Sequence, residues 1–312
     1  MHQVSVVIAA LNSAPTIARA VRSALAQPET CEVLLVDDGC TDGTTAAALA
    51  AAEGSDRLIV IALPENRGPS AARNVALERA RGTLVGVLDA DDWMVPGRIG
   101  RLIAAAGTGW DLAADDLLLA APGHEDRTWP LLGVTGPARR IGLVEFITAN
   151  LPGSGPARRE LGYLKPLMRR GFLQRHGLRY DPSLRLGEDF ALYAGALARG
   201  ARLLLVPACG YVALQRAGSL SHHHNAGDLF ALAQSDLALL AHPGLPPAAV
   251  RVLRRHRRLT LDKYFHRVAL DAKARADWLT VARAFAGTRT AALHILRETL
   301  AVRLGRLAGR DV

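Results

Sequence analysis

Residues 84–92 read LVGVLDADD. Leu84–Leu88 is a short apolar run with branched residues at Val85 and Val87, as a strand buried on both faces requires. It runs straight into Asp89, Asp91 and Asp92. Working outward toward the N-terminus, three similar runs appear: Val4–Ala10 (VSVVIAA), Val33–Val36, which ends in Asp37-Asp38, and Leu58–Ala62. Helical patterns separate them. Ile17, Val21, Ala24 and Leu25 recur at helical spacing, with Ser13 as an N-cap and Pro15 tolerated in the first turn. A second helix is expected from Ser70 to Arg81, stopped by Gly82. Pro96 opens another, with Ile99, Leu102 and Ile103 on one face. Strand and helix thus alternate through residue 106, which predicts an α/β fold: a mostly parallel central sheet with flanking helices.

Beyond residue 106 the order loosens. Residues 121–160 are rich in Gly, Pro and Arg and read as loops with a short helix near Leu143–Leu151. Helices are expected over Pro166–His176 and Glu188–Arg199, and strands over Arg202–Val206 and Gly210–Gln215. The rest, 227–312, reads as helical with breaks at Pro243–Pro247 and Gly287.

The 312 residues are 50% hydrophobic and 21% charged, a composition that folds around a sizeable core. Every apolar stretch falls short of the roughly 18 residues of a membrane span. The start Met1-His2-Gln3 leads directly into a strand, so no secretory leader is expected. Cys31, Cys40 and Cys209 have neither metal-ligand nor disulfide spacing, and a reducing cytoplasm suits them. The net charge of +9 is unevenly placed: residues 249–312 hold 15 Lys/Arg against 5 Asp/Glu, and the other residues hold 23 against 24. Such a basic helical region attracts an anionic membrane surface in preference to nucleic acid. The alternatives are a solvated basic face with no partner, packing on the rest of the chain, or a homodimer.

Open α/β sheets bind ligands beyond the carboxyl ends of their strands. No G-x-G-x-x-G follows a strand, and no G-x-x-x-x-G-K-[ST] exists, which excludes a P-loop NTPase. What stands there is acidic. In extended backbone Asp89 and Asp91 would share a face, and hard oxygen donors of this kind suit Mg²⁺ or Mn²⁺. Turn-forming aspartates are the plainer alternative. Glu188-Asp189 form a second acidic pair at a helix start, where a carboxylate is also simply favourable.

Five segments occur together in order: VSVVIAALN (4–12), VDDGCTDGT (36–44), ENRGPSAARNVAL (65–77), VLDADDWMVPGRI (87–99) and LGEDFAL (186–192). The set resembles glycosyltransferase family 2, the inverting enzymes of GT-A fold that use nucleotide sugars. The resemblance is dense over residues 4–106 and returns at 160–222. It departs at Ala9-Ala10-Leu11-Asn12, where the family often has Pro-Ala-Tyr-Asn, and at Cys40, often Ser. It implies a GT-A catalytic domain over 1–225, with a nucleotide-binding half (1–106) and an acceptor half (107–225), followed by a basic helical region at 226–312. Asp38 and the backbone at Ala9 would bind the uracil, Arg73 would lie near the base and diphosphate, and Asp89 near the ribose. Asp91 would reach a divalent cation (Mg²⁺ or Mn²⁺) on the diphosphate. Asp189 would be the catalytic base, with Glu188 beside it toward the acceptor. In Arg216–His224, Arg216 would contact phosphate and His222 the metal.

The segment Leu261–Arg267 (LDKYFHR) resembles tails of bacterial succinoglycan-type exopolysaccharide glucosyltransferases. This implies transfer of a hexose from a nucleotide sugar donor, UDP-glucose, to a lipid-linked oligosaccharide acceptor carried on polyprenyl diphosphate. The protein would then sit on the inner face of the cytoplasmic membrane as a peripheral enzyme. Two other readings compete. A sugar-nucleotide pyrophosphorylase would want a Gly-rich basic loop where Ala9–Ser13 stand. A non-catalytic sugar-nucleotide sensor or scaffold would have no need of a base at 188–189.

Overall fold

Val4–Ala10 forms strand β1, followed by α1 (Ile17–Leu25), β2 (Thr30–Asp37), α2 (Thr44–Ala51), β3 (Leu58–Ala62), α3 (Pro69–Arg79) and β4 (Leu84–Val87). The computed structural model describes residues 2–151, 160–215, 225–288 and 290–307, with side chains to residue 300. β1 pairs in parallel with β2 on one side and β4 on the other, and β3 extends the sheet past β2. The chain therefore winds one way to β3 and then crosses to the far side of β1. This reversal opens a crevice at the carboxyl ends of β1 and β4. α1 turns Ile17, Ala20, Val21 and Ala24 inward. It starts later than its sequence suggests, because the backbone N–H groups of Thr16 and Ile17 first bond the Ser13 carbonyl at 3.0 and 2.9 Å.

Then follow β5 (Trp93–Met94), α4 (Arg98–Ala106), β6 (Leu112–Asp115), β7 (Leu118–Ala121), β8 (His124–Pro130), β9 (Arg139–Ile141) and α5 (Leu143–Ala149). A 3₁₀ turn at Leu161–Tyr163 leads to β10 (Leu167–Arg169), α6 (Arg170–Arg175), α7 (Glu188–Ala198), β11 (Leu203–Val206) and β12 (Tyr211–Leu214). Among the described residues the main sheet has eight strands in the order β3-β2-β1-β4-β10-β6-β11-β9, and a smaller sheet runs β5-β12-β7-β8. β10 is antiparallel to both its neighbours, β4 and β6.

Two expectations are corrected. The segment Pro166–His176 is not one helix: Leu167 and Met168, fully buried, form the strand that joins the two halves of the sheet, and only Arg170–Arg175 is helical. Residues 121–141 are not loops throughout. β8 and β9 pair there at sheet edges, and their exposed polar side chains hide the strand pattern, as edge strands do.

Residues 1–219 form one compact unit and 220–312 another. The second is helical: α8 (Ala226–Leu240), α9 (Pro247–Ala274), α10 (Trp278–Phe285) and α11 (Ala291–Leu307). Asn225 and Asp228 cap α8 reciprocally. Ala269, Ala284 and Ile295 pack with Phe265, Val268 and Phe285 to join α9, α10 and α11. His256 Nδ1 lies 2.8 Å from the buried Asp236. Among the described residues no helix is long and apolar enough to cross a membrane.

Candidate active site

The first wall of the crevice is built from the ends of β1 and β2. The Asp38 amide donates to the Ala10 carbonyl at 2.9 Å, which ties the two strand ends. Asp37 accepts from the Cys40 amide at 2.7 Å and the Thr45 hydroxyl at 2.6 Å. Burial pushes the Asp37 carboxyl up, but these donors prevail and hold it below the usual range. Asp38 is buried, and its two oxygens accept from the amides of Arg67 at 2.8 Å and Gly68 at 2.9 Å. It thus clips the loop before α3 onto the end of β2. Gly39 lets the loop come so close. Its φ is +77°, and a Cβ there would lie 2.8 Å from the Asn66 nitrogen. Asn12 Oδ1 accepts from the Thr41 amide at 2.9 Å, which joins the Ala9–Asn12 segment to the same wall.

The second wall is the acidic segment after β4. It is a turn, not extended backbone: the Asp92 amide bonds the Asp89 carbonyl at 3.1 Å. The extended backbone on which Asp89 and Asp91 would share a face is therefore not present, and Asp89 and Asp92 point to different partners. Asp92 turns inward, where it accepts from the Tyr211 hydroxyl at 2.9 Å and the Leu214 amide at 3.0 Å. Burial, with the charges of Asp89 and Asp91, drives its carboxyl well above the usual range. The Tyr211 oxygen also accepts from the Asp89 amide at 3.1 Å, so one phenol fixes both ends of the turn. Asp91 is half-exposed at its apex.

Across the crevice, Gly187 adopts φ +72° and starts α7, which presents Glu188 and Asp189 in its first turn. These acids meet Asp89 through two buried cations. Arg73, on α3, donates from Nη1 to Glu188 at 2.7 Å and from Nη2 to Asp89 at 2.8 Å, with Asp189 3.8 Å from Nη1. Lys165 Nζ lies 2.8 Å from Asp89 and 2.7 Å from Asp189. The Tyr193 hydroxyl donates to Asp189 at 3.3 Å. Burial alone would raise Asp89, but Lys165 and Arg73 hold it well below the carboxylate range. Burial works against the Lys165 ammonium, but Asp189 and Asp89 outweigh it and push the group up.

Asp89, Glu188, Asp189 and Arg73 thus come together in one cluster, while Asp38 and Ala9 stand on the first wall. Arg73 spends its fork on carboxylates, an arrangement its motif does not reveal. Arg216 and His222 lie outside the described residues. Lys165 belongs to none of the five segments. Its signal was a lone lysine between Leu164 and Pro166 in an otherwise apolar stretch, a place where a charge survives only with partners.

The donor set can be tested against a divalent cation. Asp91 offers hard carboxylate oxygen at the turn apex, and among the described residues no three His, Cys, Asp or Glu side chains form a protein cage. Magnesium and manganese accept one or two carboxylates when phosphate oxygens and water complete the shell. The residues therefore fit a cation that arrives with a diphosphate.

The chain is similar to known proteins. The family model described as "Glycosyl transferase family 2" matches residues 5–161. The succinoglycan biosynthesis protein ExoU of Rhizobium meliloti is 47% identical over 277 residues, covering 86% of this chain and 79% of that protein. ExoO, a second succinoglycan biosynthesis protein of the same organism, is 38% identical over 313 residues, covering 99% and 88%. Among solved structures, residues 1–349 of S. aureus TarS in complex with UDP-GlcNAc superpose with a TM-score of 0.65 at 18% identity, covering 99% of this chain and 92% of that one. The mannosyltransferase PcManGT of Pyrobaculum calidifontis in complex with GDP-Man and Mn²⁺ gives 0.58 at 18% identity, covering 99% and 88%.

Proposed function

The chain belongs to glycosyltransferase family 2 and has a GT-A-like fold, and from that premise we propose that it is an inverting, metal-dependent hexosyltransferase of exopolysaccharide synthesis. Its donor is a nucleotide sugar, UDP-glucose, and its acceptor a hydroxyl of a growing oligosaccharide on polyprenyl diphosphate. The carrying observation is the cluster in which Asp89, on the second wall, and Asp189, across the crevice, share Lys165 and Arg73.

The nucleotide lies against the first wall, with its base between the Ala9 backbone and Asp38 and its ribose at Asp89. Asp91 would hold a cation on the diphosphate; His222 and Arg216, proposed as its further ligand and as a phosphate contact, lie outside the described residues. When bound, that cation neutralises charge on the leaving diphosphate. Asp189 takes the proton of the acceptor hydroxyl as that oxygen attacks the anomeric carbon from the face opposite the diphosphate. The anomeric configuration inverts. Glu188, fixed by Arg73, faces the acceptor. The excess of positive charge in 249–312 fits attachment to the anionic inner face of the cytoplasmic membrane.

The test is a thermal-shift panel of nucleotides and nucleotide sugars with and without Mn²⁺ or Mg²⁺. UDP-glucose with metal should raise the melting temperature more than GDP-mannose or metal alone. Equal response to every nucleotide would contradict the donor assignment.

A further inference from the structure

Lys165 plays no part in the transfer as set out above, yet the fold secures it at both ends. Its side chain is 9% exposed and its Nζ touches Asp189 and Asp89. Its backbone carbonyl accepts from Arg98 Nη2 at 2.8 Å, and Arg98 is itself held by the fully buried Asp115. Arg101 and the Cys209 amide belong to the layer behind: Arg101 bonds the Cys209 carbonyl, and the Cys209 amide bonds Asp115. A simple structural cation could be exposed or paired once. This one bridges two acids from opposite walls.

The charge balance explains why such a bridge is needed. Asp89, Glu188 and Asp189 carry three negative charges within reach of one guanidinium. The guanidinium of Arg73 also acts on the lysine, against its charge, and the buried phenol of Tyr180 lies within its field. Without an ammonium between them, Asp89 and Asp189 lose the bridge that holds them together and their repulsion turns them apart. A proton acceptor that has turned away from its substrate cannot act. Burial makes the requirement stricter, because an unbalanced charge is costly where water is excluded.

We propose that Lys165 is a positioning residue for the transfer step: its ammonium, bonded to both acids, holds the Asp189 carboxylate oriented toward the acceptor and in register with Asp89 on the second wall. Lys165 acts through Asp189 and does not touch substrate. The proposal rests on the reading of Asp189 as the base.

A double-mutant cycle in the full chain tests it, with release of UDP from UDP-glucose in the presence of Mn²⁺ and water as the acceptor. Lys165→Met should lower kcat by roughly 10²-fold, on the scale of a lost general base, and change KM for UDP-glucose less than about threefold. Lys165→Arg should recover part of the rate. Lys165→Met combined with Asp189→Asn should be no slower than Asp189→Asn alone, because both changes remove one function. Multiplying losses in the double variant, or a change confined to KM, would overturn the proposal. Should Lys165→Met fail to fold, Lys165→Gln enters the same cycle with the same criteria. A near-normal rate in Asp189→Asn alone would instead overturn the assignment of the base, whatever Lys165 does.

Discussion

At the scale of single residues, the site is governed by how few cations serve how many acids. Asp189 is buried beside Lys165, Arg73 and Tyr193, a setting in which one lost charge is felt by every neighbour. Asp189→Asn keeps the shape and removes the proton acceptor. It should lower kcat by roughly 10²-fold or more while nucleotide-sugar binding persists, as initial rates and calorimetric titration would show. The Arg98–Asp115 pair behind the site is of another kind. Both side chains are fully buried and neither faces the crevice from which the chemistry is drawn. Arg98→Met strands Asp115 and releases the Lys165 carbonyl, so it should cost about 3–5 kcal/mol in urea unfolding.

At the scale of elements, β10 decides whether the sheet is whole. Leu167 is fully buried, pairs with Gly86 and Ala113, and packs so tightly that a Cβ on Gly86 would lie 3.0 Å from its Cδ2. Leu167→Ala should cost about 2–5 kcal/mol, read as a lowered urea midpoint. The first half of the chain was legible because its strands spell out apolar runs: β1 is buried on both faces, as Val4–Ala10 shows, and β3, half-exposed at the sheet edge, is equally apolar. β10 was not, since three residues show no period, and the helix that follows at once lent them its pattern. The same limit applies to the site. Asp89, Asp91, Glu188 and Asp189 stand in motifs a reader can see. Lys165 acquires its meaning only from partners that folding brings to it.

At the scale of the whole molecule, pH and charge set the working range. Glu32, Asp37, Asp89 and Asp111 are carboxylates that burial would raise but whose donors and cations hold them low. Groups depressed in this way stabilise the fold above their ordinary values of 3.8 to 4.5, and that contribution is lost as the pH falls through and below them. Asp92 and Asp236, raised chiefly by burial, act in the opposite sense but are fewer. The melting temperature should therefore fall as the pH is lowered from 5 toward 3, measurable by calorimetry in a pH series. The basic C-terminal region should bring the full chain down with liposomes containing phosphatidylglycerol at low salt and release it near 0.5 M NaCl. Sedimentation indifferent to salt and lipid charge would remove the membrane from the account.

The position of Lys165 just before β10 also has a consequence in time. As the polypeptide leaves the ribosome, Asp89 emerges long before Lys165 and the acids at 188–189. Until β10 slides in beside β4, the growing chain lacks the strand that joins the two halves of its sheet and the ammonium that bridges its acids. The contact between Asp89 and Asp189 through Lys165 is therefore one that only a chain made past residue 189 can close.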